Sequence, residues 1–175
     1  GEVLFVTVYL RIATLPDAAH DITAISGASG NGLFRLLLNT SGTVQLQYQN
    51  GGSVWTNVGS ASAALSIGAF YRLEYSCSGT NTGGAAACEF KLDGTVVASG
   101  SSLTLIGATT VDLLHIGLQY SVATVDLYYD DIAISDSAYP GAGQVNILKP
   151  NATGNYTAWT NGAGTAPTNV AEVPH

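Results

Sequence analysis

The chain has 175 residues, of which 46% are apolar, and this is enough to close the core of one domain of β-sandwich size. Only 10% of the residues are charged, against about 25% in ordinary globular domains, so hydroxyls, amides and glycines must cover much of the surface. The formal net charge is -7 and the five Lys and Arg residues do not cluster, which excludes a nucleic-acid footprint and disfavours an anionic membrane surface.

The chain opens directly on a segment with the pattern of a β-strand, from Val3 to Leu10. No signal peptide is visible and no Met is present, so we expect the sequence to be the processed or ordered part of a longer polypeptide. The most apolar stretches, such as Leu33 to Leu38, have the length of a strand and predict no membrane insertion. Together with the low-charge surface, this favours a virion or an extracellular surface as the location.

Alternation of apolar and polar residues is the main periodic signal along the chain. Val44, Leu46 and Tyr48 alternate with three glutamines, which predicts a strand with one buried side and one side in water. Turn signals such as Asp93-Gly94 separate these segments, and no segment has a sustained helical period. The predicted strands cover residues 3–12, 22–26, 33–39, 44–49, 53–58, 71–76, 88–92, 95–99, 111–117, 124–134 and 144–149. This pattern predicts an all-β fold, a two-sheet antiparallel β-sandwich.

The composition shifts toward the C-terminal end, where Lys149 to His175 is rich in Asn, Thr, Gly, Ala and Pro. We expect residues 1–142 to form a jelly-roll sandwich. Residues 143–175 are expected to supply a final strand and an extended C-terminal arm that packs on the sandwich or on a neighbouring subunit. The large ring of Trp159 would anchor this arm by burial.

Two cysteines, Cys77 and Cys88, stand at the ends of neighbouring strand-like segments, with a loop of small and polar residues between them. Adjacent antiparallel strands would bring them within bridging distance, and a disulfide across so short a loop would stabilise the fold by about 3 kcal/mol. The alternative is a pair of free, inert thiols. The sequence favours the disulfide, and with it an oxidising environment.

No arrangement of residues indicates catalysis. A jelly-roll hydrolase needs two carboxylates in one cleft, roughly 5 to 9 Å apart, whereas Glu74 and Glu89 lie on different strands at positions expected to face solvent. The three histidines occur at distant positions, none in a recognisable triad or zinc pattern: His20, His115 and His175. We therefore predict that the chain has no catalytic residues and is not an enzyme.

Aromatic side chains are candidates for stacking against a sugar ring. The candidates are Tyr48, Trp55, Tyr120, Tyr128 and Trp159. Trp55 is out of phase with the apolar residues around it, which indicates that its ring lies on the other side of its strand. The alternative is that these aromatics fill the core or contact other subunits.

Three segments match the pattern for N-linked glycosylation, Asn-X-Ser/Thr. They begin at Asn39, Asn151 and Asn155. The pattern is common by chance in a chain so rich in Asn and Thr, and it matters only if the source glycosylates its proteins.

The order of several motifs resembles the laminin-G-like and concanavalin-A-like jelly-roll family. The resemblance rests on a first strand and its exit, a central hairpin, a strand pair with Leu-Asp-Gly, and a closing strand. These are found at Arg11–Pro16, Leu36–Leu46, Phe70–Glu74, Phe90–Val97 and Tyr128–Asp136. The resemblance implies a concanavalin-A-like sandwich.

The C-terminal part is similar to phage and prophage virion structural proteins, in which a jelly roll is followed by a characteristic tail. The matching segments are Tyr129–Ile132, Gly143–Val145, Lys149–Asn151, Gly154–Trp159 and Asn169–Val173. Family members usually carry one more N-terminal strand, so the resemblance implies either a truncated start or a strand supplied by another subunit.

Asp130 and Asp131 are the strongest candidates for a metal site. Adjacent strand residues point to opposite faces, so one carboxylate should point inward unless a bulge intervenes. An inward carboxylate could bind a structural Ca²⁺, as the resemblance to jelly-roll carbohydrate-binding modules also implies. Alternatively the acid accepts backbone N–H groups, or pairs with Arg11 or Arg35. Asp126 and Asp136 are secondary candidates.

Two functions remain open, and neither requires a cofactor. The leading hypothesis is a non-enzymatic virion structural protein, a capsid decoration, head-fibre or tail component that forms oligomers with itself or with other virion or surface subunits by strand addition. The alternative is a secreted or cell-surface carbohydrate-binding, lectin-like module with glycans as partners. The two are compatible, because a virion decoration can also hold glycans.

Overall fold

The computed structural model of the chain describes residues 3–27, 30–78, 86–106, 111–117 and 124–142. Within these ranges the chain forms ten β-strands, and no helix of membrane-spanning length occurs. The strands are β1 (Val3–Thr14), β2 (His20–Gly27), β3 (Gly32–Leu38), β4 (Val44–Gln49), β5 (Trp55–Asn57), β6 (Phe70–Ser78), β7 (Ala86–Leu92), β8 (Thr95–Leu103), β9 (Val111–Ile116) and β10 (Asp126–Ser135). The predicted strand 144–149 and the predicted arm at 143–175 lie outside the described residues.

The ten strands form two five-stranded sheets in which every pairing is antiparallel. The first sheet has the order β10-β1-β6-β7-β8 and the second has the order β5-β4-β3-β2-β9. Neighbours in each sheet are often distant in the sequence, because the chain crosses repeatedly between the two sheets. The predicted all-β, two-sheet antiparallel sandwich is confirmed.

The core lies between the two sheets and consists of the apolar residues of each alternating strand. On β3, Phe34, Leu36 and Leu38 are fully buried, and on β4 Val44 and Leu46 are buried opposite them. Other large, fully buried side chains are Leu10, Ile12, Ile22, Ile25, Leu33, Leu73, Tyr75 and Phe90. Since burying one such side chain contributes about 1.5–3 kcal/mol, this layer is the main source of stability.

The polar side of β4 differs from the sequence expectation. Gln45 and Gln47 were expected to face water, but both are at most 9% exposed. The Gln45 amide donates to the carbonyls of Leu46 and Val58, at 2.9 and 3.0 Å. The outer surface of the second sheet is therefore covered by its own hydrogen-bonded side chains, and this surface carries the site described below.

Cys77 and Cys88 lie directly opposite each other on β6 and β7, as expected, but the structure holds both as free, buried thiols. The predicted disulfide is not formed in this structure. A buried thiol behaves as a small apolar side chain, and both cysteines belong to the hydrophobic core. Burial raises the pKa of Cys88 to about 12, and it raises the pKa of Cys77 well above its usual value.

We expect neither thiol to react with an aromatic disulfide reagent at about pH 8 while the protein is folded, because the thiolate is the reactive form. After unfolding in guanidinium chloride without reductant, both thiols should react. A sample reduced before unfolding serves as the control for total thiol. Absence of thiol in the unreduced, unfolded sample would show a disulfide and contradict the free pair.

Candidate functional site

Arg35 occupies the centre of the outer surface of the second sheet. It follows Phe34 on β3, and because successive strand residues point to opposite faces, the core position of Phe34 places Arg35 on the outside. Directly paired residues on neighbouring strands share a face. Arg35 therefore lies in one row with Ala24 and His115 on one side and with Gln47 and Asn57 on the other.

A chain of polar contacts fixes the Arg35 guanidinium. Its Nε donates to Gln47 Oε1 at 2.7 Å, and its Nη1 lies 3.0 Å from Asp21 Oδ1. The Gln47 amide in turn donates to Asn57 Oδ1 at 2.6 Å. The Arg35 and Asp21 side chains are only 18% and 17% exposed, so this ion pair is far better shielded from water than a surface pair.

Trp55 lies against the same guanidinium. The Arg35 Cζ atom is 4.1 Å from the centre of the indole ring, a distance that favours cation–π attraction. Gly32 on β3 makes room for the ring, because a Cβ atom at that position would lie 2.6 Å from Trp55 Cζ2 and 2.8 Å from Cη2. The absent side chain of Gly32 thus sets the position of the indole.

Asp21, Gly32, Arg35 and Trp55 line a cleft with a volume of about 510 Å³. Small residues leave room over the middle of the sheet, among them Ala24, Ser26 and Gly32. Polar and aromatic side chains form most of the remainder of the lining. The other lining residues are Ala19, His20, Asp21, Gly30, Arg35, Leu37, Gln49 and Trp55. An aromatic ring beside a few converging polar groups is the usual composition of a small-molecule site.

The pKa of Asp21 is raised, as is typical of a partly desolvated carboxyl group. Burial raises its pKa above the usual value, and the charge and hydrogen bond of Arg35, together with His20, only partly offset this effect. The carboxylate therefore depends on Arg35 for its remaining stabilisation. Removing either partner would leave an unpaired charge in the cleft, which is costly.

The aromatic residues singled out in the sequence do not form one surface. Trp55 lines the cleft, whereas Tyr48 points inward and packs against the core. Tyr128 lies on the outer side of the first sheet, where Arg11 Cζ is 5.1 Å from its ring centre. Tyr120 and Trp159 lie outside the described residues. The structure thus supports one of the five stacking candidates as part of the cleft.

Sequence reasoning missed most of the cleft. Asp21, Gln47 and Gly32 were not proposed as site residues, and Arg35 was considered only as a partner for an aspartate. A signal was present, since Arg35 interrupts the apolar run from Leu33 to Leu38 and so had to point away from the core. The sequence could not show that its row would include the glutamines of β4.

Asp130 and Asp131 lie at a β-bulge, where the pairing of β10 with β1 shifts between Thr7 and Tyr9. Asp131 has a φ of 44°, and its N–H donates to Asp130 Oδ1 at 2.8 Å. Asp130 thus accepts a hydrogen bond from a backbone N–H, which was one of the alternatives to metal binding. Among the residues that the structure describes, no group of three His, Cys, Asp or Glu side chains is placed to hold a metal ion, so calcium stays a prediction.

Glu74 and Glu89 lie on the outer side of the first sheet, away from the cleft. Glu74 was expected to face solvent, but it is only 4% exposed and its Oε2 lies 3.2 Å from Arg72 Nε. Glu89 lies 3.1 Å from Lys91 and also accepts a hydrogen bond from Tyr139 at 3.0 Å. Both carboxylates are therefore engaged in ion pairs on the face opposite Arg35.

Of the three glycosylation patterns, only Asn39 lies within the described residues. It follows β3 in the turn before β4, and its amide donates to Thr43 Oγ1 at 2.9 Å. Asn151 and Asn155 lie outside the described ranges. Glycosylation at these positions stays a prediction.

No protein-family model and no curated protein sequence matches the chain, but its fold has counterparts among solved structures. The endo-β-1,4-glucuronan lyase of the fungus Trichoderma reesei is similar with a TM-score of 0.61 and 13% identity, over 78% of this chain and 69% of the lyase. The cellulose-induced protein Cip1 is similar with a TM-score of 0.58 and 16% identity, over 81% of this chain and 71% of that protein.

A sialidase of Trypanosoma rangeli is similar with a TM-score of 0.56 and 14% identity, over 77% of this chain. The match covers 20% of the sialidase, so this chain spans about one fifth of that enzyme's length. These three structures provide no link to phage proteins. At such identities the likeness concerns the fold alone, and the chain shares the concanavalin-A-like jelly-roll fold with these proteins.

Proposed function

We propose that the chain is a carbohydrate-binding module whose ligand lies in the cleft over Arg35 and Trp55. The observation that carries this proposal is the fixed indole beside a hydrogen-bonded guanidinium in an open cleft of about 510 Å³. A sugar ring has apolar faces, which stack on an aromatic ring, and a rim of hydroxyls, which need donors and acceptors. Trp55 supplies the first and Arg35, Asp21 and Gln49 supply the second.

The similar solved structures support carbohydrate binding only through the shared fold. Two of the three similar proteins are by name a glucuronan lyase and a sialidase, and so act on carbohydrates. The third is by name induced by cellulose. Shared fold does not imply shared function, so the argument for this chain depends on the cleft itself.

We propose binding without turnover. Among the described residues that line the cleft, Asp21 is the one carboxylate, and it is held by Arg35. Hydrolysis of a glycosidic bond in the usual way needs a second carboxylate roughly 5 to 9 Å away. Release of reducing ends, or of unsaturated sugars, from any polysaccharide by the purified protein would contradict this part of the proposal.

The assembly function predicted from the sequence depends on the arm at residues 143–175. Because that segment lies outside the described residues, a virion component, its oligomeric partners and its location stay predictions. A carbohydrate-binding module at a virion or extracellular surface would satisfy both hypotheses.

The proposal is tested by glycan binding to the wild-type protein and to two neighbouring variants. A glycan array identifies ligands, and titration calorimetry then measures their affinity. Trp55→Ala should weaken binding at least about tenfold, or about 1.4 kcal/mol, because the stacking surface is lost. Val54→Ala is the matched control, since Val54 is adjacent but 59% exposed and does not line the cleft. Equal affinity of Trp55→Ala and wild type would remove the cleft from consideration.

A further inference from the structure

Apart from His20, the charged residues that line the cleft are one cation and one anion. Arg35 is the only cationic Arg or Lys among the described lining residues, and Asp21 is the only carboxylate. The two are paired at 3.0 Å and are both largely shielded from water. At a pH where an ordinary histidine is neutral, a ligand that enters the cleft therefore meets a dipole rather than a net charge.

Apart from Asp21, the side chain that accepts a hydrogen bond from the Arg35 guanidinium is the uncharged Gln47. The Nε of Arg35 is engaged by Gln47 and its Nη1 by Asp21, and Nη2 has no hydrogen-bond partner among the described residues. Gln49 donates its amide to the Ser53 carbonyl at 3.3 Å, which leaves its Oε1 beside Gly32 on the side of the cleft. Donors and acceptors thus stand side by side, as a hydroxyl requires, because each hydroxyl both donates and accepts.

From this arrangement we infer that the cleft selects an uncharged glycan and rejects the corresponding uronic acid chain. The inference rests on the proposed function. A uronate carboxylate at Arg35 would approach Asp21, and like charges repel strongly where water is scarce. Displacing Asp21 instead would leave that half-buried carboxylate unpaired. The Asp21 carboxylate that already occupies Arg35 thus selects against anionic ligands.

The experiment compares pairs of oligosaccharides that share a backbone and differ only in oxidation at C6. Suitable probes are β-1,4-glucan with β-1,4-glucuronan, and the corresponding mannan and galactan pairs, measured by calorimetry at about pH 8, where an ordinary histidine is neutral. For the backbone that binds best, the neutral member should bind wild type at least tenfold more tightly than its uronate. Its affinity should change little with salt.

Asp21→Asn keeps the shape of the side chain and removes its charge. This variant should bind the uronate at least tenfold more tightly than wild type does, and the ratio of the neutral affinity to the uronate affinity should fall by at least about the same factor. Asp21→Glu retains the charge and should keep the wild-type preference. Circular dichroism and a thermal melt of each variant establish that it is folded.

The outcomes separate the two proposals. If no member of any pair binds the wild-type protein, the proposed function itself is wrong. If the uronate binds wild type as tightly as the neutral chain, or if Asp21→Asn fails to improve uronate binding while remaining folded, the selectivity inference is overturned and the cleft remains a carbohydrate site. A variant that unfolds is replaced by Asp21→Ser in the same comparison.

Discussion

We expect the Phe34→Ala variant to lose about 3–5 kcal/mol of unfolding free energy, which is a large share of the total stability of a typical domain. Phe34 is fully buried on β3, the central strand of the second sheet, where it faces Tyr48 and Ile25 across the two flanking strands. Its removal leaves a cavity between the sheets that close packing cannot refill. Urea unfolding followed by circular dichroism measures the loss.

Phe70→Ala is the matched control for this experiment. The same side chain is removed, but Phe70 is 51% exposed at the start of β6, so we expect a loss of about 1 kcal/mol or less. Equal destabilisation of the two variants would contradict the placement of the core between the sheets. Because Phe34 lies directly before Arg35, Phe34→Ala should also loosen the cleft and weaken glycan binding. Since only folded molecules bind, the binding capacity should fall in proportion to the folded fraction.

The second large effect is expected at Gly32. A methyl group there would stand 2.6 Å from Trp55 Cζ2, so Gly32→Ala should push the indole away from Arg35. We expect glycan affinity to fall at least about tenfold, or about 1.4 kcal/mol, as for loss of the ring itself. Overpacking should cost about 1–3 kcal/mol of stability. Calorimetry, and tryptophan fluorescence in a Trp159→Phe background, follow the two effects.

Gly51→Ala is the control for Gly32→Ala. Among the described residues, its added methyl would meet only Thr104 Cγ2, at an ordinary contact distance of 3.8 Å, so neither affinity nor fluorescence should change. If Gly32→Ala binds glycan as tightly as wild type with an unshifted emission spectrum, the indole is not held in the position described, and Trp55 is not a fixed stacking surface.

The strands of the sandwich were accessible from the sequence because their signal is local. The alternation of Val44, Leu46 and Tyr48 marks β4 without knowledge of any other strand, and the structure places that strand at the predicted bounds. The same local signal was misleading for Gln45 and Gln47. Their polar character indicated an exposed face, but neighbouring strands and side-chain hydrogen bonds cover them.

The cleft could not be read from the sequence because its members are far apart in it. Asp21, Arg35, Gln47 and Trp55 meet through the order β5-β4-β3-β2, and this order depends on how strands pair across the whole sandwich. Separation in space also explains why the aromatic candidates form no common surface, since Trp55 and Tyr128 lie on different sheets.

The sequence by itself determined the fold class, because side-chain direction alternates along every strand and apolar residues must turn inward wherever one face is buried. It also determined that Arg35 had to leave the core, since an isolated charge in that layer would be prohibitively costly. Only the tertiary structure decided what Arg35 would meet there. Register between strands set its partners, and the missing side chain of Gly32 admitted the Trp55 ring beside it.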